Sequence, residues 1–236
     1  MTPYGARVAR ELASACADVG IVVVSGLAQG IDSAAHEGAL DGQRHTVAVL
    51  GAGIASFFAE VRGRRRRLAH AIRSSGALIS EFPPEAPPQQ WTFARRDATI
   101  AALGEVIVVV EAPVGSGALI TADEARKLGR PVYAVPGPIG VGASMGANAL
   151  IATGRAKALL DASALLEAVG AHVRTHTDNL DDLDARILDV LAGSPADADA
   201  LARRVGLDAA ALSTRLARLV IRGKVAAATD GRFQRR

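Results

Sequence analysis

Two glycine-rich stretches hold the residue types best suited to chemistry in this chain. The first is Ser25-Gly26-Leu27-Ala28-Gln29-Gly30-Ile31-Asp32; the second runs Glu111-Ala112-Pro113-Val114-Gly115-Ser116-Gly117 and on to Thr121. Small residues at Ser25, Gly26, Ala28 and Gly30 let a ligand approach the backbone closely. Asp32 is placed to cap a following helix, whose first-turn amides would then form an anion site. In the second stretch, Gly115, Ser116 and Gly117 supply flexible amides and a hydroxyl that suit a phosphate oxygen. Thr121 and Glu124 read as a capping box, with a helix starting near Ala122. Neither stretch has the spacing GxGxxG or GxxxxGK[ST], so a dinucleotide fingerprint and a P-loop are both unsupported. The plainer reading of each is a tight structural bend. His36 has no evident partner that would make it a general base, and is assigned to packing or capping.

The elements that must position these stretches follow from hydrophobic period. Short apolar runs at Ile21-Val24, Thr46-Leu50, Ala77-Ile79, Val106-Val110 and Val132-Val135 lack internal polar alternation, as strands buried on both faces do. Helical patterns separate them; in the first, Val8, Leu12, Ala15 and Val19 recur at helical spacing before Gly20. This alternation predicts a doubly wound, mainly parallel sheet, with ligands at the carboxyl ends of its strands. Residues 170–182 are polar and aperiodic and read as a linker. Beyond them, Leu183-Leu191, Asp199-Val205 and Ala209-Arg222 are helical, and Val225-Ala228 meets a Thr-Asp-Gly turn. Three helices and a hairpin make the winged-helix plan. The expected division is therefore 1–169, linker 170–182, and 183–236.

Composition narrows the function classes. The 236 residues carry 27 Lys+Arg against 24 Asp+Glu, and no apolar run is long enough for a membrane span. No secretory signal is visible, and the single cysteine, Cys16, has no Cys/His cluster of metal-ligand spacing around it. A cytoplasmic protein without metal or cofactor is expected. All but three of the basic residues are Arg, which suits bidentate phosphate contact but also fits a genome-wide bias. Arg62, Arg64, Arg65, Arg66 and Arg67 fill five of six positions. In the last domain, Arg215, Arg218 and Arg222 at spacings of three and four could follow a phosphate backbone or meet an acidic protein. Aromatics are only 3%, so base-stacking platforms are scarce.

The stretches VSGLAQGIDSAAHEGAL (24–40), TVAVLGAG (46–53), LISEFPPEAPP (78–88), VVVEAPVGSGALITADEA (108–125) and GRPVYAVPGPIGVGASMGANALIATG (129–154) resemble the DNA-processing protein A family (DprA, also called Smf). The resemblance implies an extended Rossmann-like fold followed by a small winged helix. It further implies non-catalytic binding of single-stranded DNA, a homodimer, and delivery of that DNA to RecA recombinase in natural transformation. Three departures stand out. The family's sheet opens with a strand ending Gly-Ser-Arg before a T-x-Y-G segment; this chain starts at Thr2-Pro3-Tyr4-Gly5, so the strand of Ile21-Val24 is expected to lack a neighbour on one side. A chain so shortened should be less stable and bind DNA less tightly. The family's F-P-x-R-N-R-I-I reads Phe93-Ala94-Arg95-Arg96-Asp97-Ala98-Thr99-Ile100, which keeps Arg96 but sets an acid beside it. The family's Tyr-Pro reads Phe58-Ala59.

Two other function classes compete. A Rossmann-like nucleotide-hydrolysing enzyme resembles a PGGxGTxxE pattern, but Pro136-Gly137-Pro138-Ile139-Gly140 is followed by no Glu at that spacing. A winged-helix transcriptional regulator would read duplex DNA instead. Self-association is expected from the apolar segment 144–171, with Leu150, Ile151, Leu159, Leu160, Leu165 and Leu166.

Overall fold

A computed structural model of the protein describes residues 1–41, 44–170, 182–221, 224–227 and 232–235. The chain divides into two compact units, Met1–Val173 and Arg174–Arg236.

In the first unit, α1 (Pro3–Asp18) begins where the Thr2 hydroxyl accepts the Gly5 N–H at 3.1 Å and Pro3 occupies the first turn, where no N–H is needed. Its buried stripe is Ala9, Leu12, Ala13, Cys16 and Ala17 rather than the Val8-Leu12-Ala15-Val19 face that the spacing predicts. The reason is close packing. A β-carbon on Gly38 of α2 (Ile31–Leu40) would run into the Arg10 carbonyl, so the two helices meet backbone to backbone and only small side chains fit between them.

The strands β1 (Val23–Ser25), β2 (Thr46–Leu50) and β3 (Ala77–Ser80) are parallel in the order β1-β2-β3, with Val24 beside Val47 and Ala48 beside Leu78. A second parallel sheet, in the order β4-β5-β6, is made of β4 (Ile107–Val109), β5 (Val132–Ala134) and β6 (Lys157–Ala158). All five apolar runs form strands; the exposed two-residue β6 has no apolar signal to announce it. The helices α3 (Ile54–Glu60), α4 (Gly63–Ser75), α5 (Gln90–Leu103), α6 (Gly117–Lys127), α7 (Met145–Ala152) and α8 (Ala162–Ala168) complete the unit. Burial on both faces holds for most of β2, while β1 and β3 are half-buried because each is an edge.

Among the described residues β1 pairs with β2 alone and β4 with β5 alone. Ile21 and Val23 nevertheless pack in one cluster with Val106, Val108 and Val110, roofed by Ala9, Leu12 and Cys16 of α1. The two half-sheets thus share a core without sharing a ladder. The start of α1 is tied to the end of β4, since the Thr2 N–H donates to Glu111 at 2.9 Å and the Thr2 hydroxyl bonds the same carboxylate.

The second unit holds α9 (Asp182–Gly193), α10 (Ala198–Val205), α11 (Ala209–Ile221), β7 (Val225–Ala227) and β8 (Phe233–Arg235), the strands antiparallel with Ala226 opposite Gln234. Asp197 caps α10 by accepting the Ala200 N–H at 2.7 Å, and Gly206 ends it at φ +73°, a left-handed conformation that favours glycine. Ile187, Leu188, Leu191, Leu201, Val205, Leu212, Leu216, Leu219 and Val225 fill the core. This is a winged helix. Residues 171–181 of the expected linker and the expected Thr-Asp-Gly turn lie outside the described residues.

Candidate functional site

Helix α5 carries the centre of the site. Gln89 and Thr92 cap it: the Gln89 N–H donates to Thr92 Oγ1 at 2.9 Å, and Thr92 Oγ1 donates to the Gly51 carbonyl past β2. That anchor fixes the helix against the strand ends and sets Arg96 and Asp97, one after the other, between the two glycine stretches. Both side chains are nine-tenths buried.

Arg96 lies against the first stretch. A β-carbon on Gly26 would coincide with Arg96 Nη1, so the glycine is what makes room for the guanidinium. Asp32 Oδ2 sits 3.7 Å from Arg96 Nη1 and accepts the N–H groups of Gly26 and Ala28, both at 3.1 Å. The structure corrects the expected role of Asp32 here. It does not cap α2, whose N-cap Gly30 has no side-chain bond. It turns back into the loop and uses the amides of Gly26 and Ala28, which were expected to face a phosphate. Ser25 ends β1, and the Ser33 hydroxyl closes the turn on the Ala28 carbonyl at 2.8 Å. Leu27, fully buried at φ +53°, adopts a left-handed conformation unusual for leucine; its carbonyl accepts Arg65 Nε at 2.7 Å.

Asp97 lies against the second stretch. Its Oδ2 would stand 2.9 Å from a β-carbon on Gly117, at the first turn of α6. The capping box at Thr121 and Glu124 is a second correction: α6 begins five residues before the expected Ala122, with Ser116 at the N-cap. Thr121 is already inside the helix, buried, its hydroxyl directed at the Gly117 carbonyl. Gly115, at φ +80°, makes the bend that turns the chain into this earlier start, and Ser116 Oγ is buried with no hydrogen-bond partner. Asp97 Oδ1 approaches Arg96 Nε at 3.1 Å, out of line for a hydrogen bond. Burial pushes the Asp97 carboxyl up to about 6; Arg96 opposes the rise and Asp32 adds to it.

The space above these groups is an open depression of about 230 Å³, bordered by Gly26, Ala28, Gly51, Phe57, Arg65, Phe93 and Arg96 among others. Arg65 crosses the Phe57 ring at 5.2 Å, and burial together with Arg96 pulls it below its ordinary value without discharging it. Phe93 is 41% exposed, rests on Gly51, and has the Arg96 guanidinium 5.7 Å from its ring centre. Nearby, the exposed Trp91 of α5's first turn packs edge to face at 5.6 Å with Phe82 of the loop after β3. Sequence reasoning missed these aromatics, because a low aromatic total says nothing of where the few are placed.

The other basic candidates are placed as follows. Arg64 is tied to Glu37 by two bonds, at 2.6 and 2.8 Å. Arg66 and Arg67 are exposed on α4 and do not border the depression. Arg215 pairs at 2.8 Å with Asp184, which is fully buried, so its guanidinium serves the winged helix's own core. The side chain of Arg218 and all of Arg222 lie outside the described residues. His36 is fully buried and bonded through Nδ1 to Thr46 Oγ1 at 2.8 Å, which fits the packing role expected of it. Among the described residues no group of acids, histidines and cysteines is arranged to hold a metal, and no helix is long and apolar enough to cross a membrane.

The fold is a mixed α/β unit with parallel sheets, followed by a winged helix. The model of DNA recombination-mediator protein A matches residues 1–170, and that of the DprA winged helix domain matches residues 171–231. The chain belongs to the DprA/Smf family. A putative DNA processing protein DprA of Mycobacterium tuberculosis is 38% identical over 99% of this chain and 61% of its own length. Protein Smf of Escherichia coli is 42% identical over 64% of this chain and 40% of its own. The chain thus spans between about two fifths and three fifths of the length of these curated relatives. Among solved structures, DprA of Streptococcus pneumoniae superposes with a TM-score of 0.62 at 33% identity, covering 71% of this chain and 57% of that one. DNA processing protein A of Helicobacter pylori, described by its single-stranded DNA binding mode, gives 0.64 at 25% identity, covering 72% and 75%.

Proposed function

We propose that the depression around Arg96 binds single-stranded DNA without catalysing a reaction on it. The observation that carries this is a nearly buried guanidinium held at the mouth of an open depression, with a second arginine and an exposed aromatic ring on the rim. Arg96 and Arg65 supply charge-assisted bonds to phosphate oxygens. Phe93 supplies a flat apolar face for a base, which works for any base because each has a π-face. Backbone amides of the first glycine stretch contribute less than their number implies, since Asp32 holds those of Gly26 and Ala28. Binding should therefore be tolerant of sequence and sensitive to salt.

The Helicobacter pylori relative, described by its single-stranded DNA binding mode, supports this reading. By family likeness the chain protects incoming single strands in natural transformation and passes them to RecA recombinase as a cytoplasmic homodimer. Of the residues offered for self-association, Leu150, Leu159, Leu165 and Leu166 are spent in the chain's own core, and Leu160, 80% exposed, is the one left open. The test is anisotropy binding of homopolymeric single strands, duplex and a nucleoside monophosphate at two salt concentrations. Preference for single strands, lost as salt rises, is expected. Equal affinity for duplex, or turnover of the monophosphate, would overturn the reading in favour of a duplex-reading regulator or a nucleotide hydrolase.

A further inference from the structure

Helix α4 is loaded with charge in a way that its fold does not require. Six arginines fall between Arg62 and Arg73, and four of them crowd the first turns, where the helix dipole already presents positive potential and the helix itself carries no acid. Arg64 is neutralised by Glu37 and Arg65 faces the depression. Arg62, Arg66, Arg67 and Arg73 make no ion pair among the described residues and are exposed. They are not scattered. Phe58, at the end of α3, stands with Arg66 and Arg73 each 5.9 Å from its ring centre, and the His70 ring 5.1 Å away and tilted by 40°. At that distance, near the outer limit of about 6 Å, a cation is held loosely and can turn to another anion. Arg66 Nη1 also donates to the Phe58 carbonyl at 2.7 Å, which holds the guanidinium beside the ring and leaves its other N–H groups for an anion.

This cluster continues the depression. Phe57 forms its wall beneath Arg65, and Phe58 meets Phe57 edge to face at 5.5 Å. An unbroken run of aromatic and cationic groups leads from Phe93 and Arg96 through Arg65 and Phe57 to Phe58, Arg66, His70 and Arg73. Among the described residues, Glu60 is the one carboxylate that borders the depression along this run.

We propose that a single-stranded nucleic acid leaving the Arg96 depression continues over this α3–α4 ridge, a base stacking at Phe58 and phosphates meeting Arg66 and Arg73. The ridge rests on the reading of the depression and lengthens the site beyond it. Charge complementarity selects a polyanion, and the embedded ring selects one with exposed bases, which duplex DNA and acidic peptides lack.

Oligothymidylates of about 6 and about 25 nucleotides separate the two parts, by analogy with OB folds, each of which covers roughly 4–16 nucleotides. Wild type should bind the long strand about 10-fold more tightly. Arg66→Ala with Arg73→Ala should remove that gain and lower the salt slope by about 1.4, two phosphates at about 0.7 each, while the short strand binds as before. Phe58→Leu should lower long-strand affinity about 5-fold and leave the salt slope unchanged. Unchanged melting of the variants checks that they fold. Variants that weaken both strands equally, or neither, overturn the ridge and leave the depression standing. A matching loss on duplex overturns the single-stranded occupant. Failure of wild type to bind either strand overturns both readings.

Discussion

The two glycine stretches invite comparison because they resemble each other in composition and end up opposite in electrostatics. Each follows a strand, each precedes a helix, and each touches one of two consecutive residues of α5. At the first, Arg96 brings a cation against Gly26, and the loop has already supplied its own anion in Asp32. At the second, Asp97 brings an anion to the start of α6, where a ligand's phosphate would otherwise be favoured. A glycine stretch at a strand end is thus a place for an anion, and the neighbouring helix decides whether the protein or the ligand fills it. On this comparison the proposed DNA contact falls to the first stretch, through Arg96, while Asp97 occupies the start of the second.

The largest effect should come from removing the cation of the first stretch. Arg96→Gln should reduce single-strand affinity about 30-fold in titrations at about 0.1 M salt, the scale of losing one well-placed charge-assisted contact. Gly26→Ala is a steric route to the same end. Its β-carbon claims the space of Arg96 Nη1, the far end of a flexible side chain, so the guanidinium must swing away. A loss of about 10-fold is expected with a melting temperature close to wild type; a large drop in melting with normal affinity would show that Gly26 serves folding instead.

At the second stretch the sign reverses. Asp97→Asn removes the competing anion and should raise affinity about 5-fold near neutral pH. Because burial lifts the Asp97 carboxyl to about 6, wild type should itself bind more tightly as pH falls through that value, and the variant should not. Titrations at two pH values check both. A parallel pH response of wild type and variant would place the sensor elsewhere.

Stability offers the smallest and most specific contrast. Asp97 has a folded value above its usual 3.8, so protonation favours the fold and stability is gained as pH falls from about 6 toward 3.8. Burial lowers His36 to about 4, against an ordinary 6.5, and the nearby Asp32 offsets this only in part. Its folded state resists the proton, so stability is lost as pH falls from 6.5 toward 4. The two trends oppose each other in one window. Melting of wild type should vary little there, whereas Asp97→Asn, with only His36 left, should lose stability steadily on acidification.

Much of this was legible beforehand, and the misses have physical causes. Strand runs such as Thr46-Leu50 and the apolar spacing of Ile187, Leu188 and Leu191 declare themselves because burial enforces period. The caps do not. Asp32 and Thr121 sit at plausible capping positions, yet Asp32 found two loop amides within reach and Thr121 was overtaken by a helix begun at Gly117. Local hydrogen-bonding side chains choose among nearby partners, and the choice depends on loop geometry that spacing does not contain. The basic residues divide the same way. Arg215 reads as a surface cation on helix spacing, but Asp184, 31 residues earlier, draws it into the winged helix's core. The prominence of Phe93 depends on Gly51 beneath it, a contact between segments that no periodic pattern predicts.

A single strand is proposed to lie in the Arg96 depression of the first unit. Photo-crosslinking with an iodouracil-substituted oligothymidylate tests it most directly, because the reactive base bonds preferentially to an aromatic ring that it touches. Peptide mapping should place the crosslinks on Phe93, with Trp91 or Phe57 beside it, and Arg96→Gln should abolish them. Crosslinks confined to residues 183–236, unaffected by Arg96→Gln, would contradict the account and assign DNA binding to the winged helix.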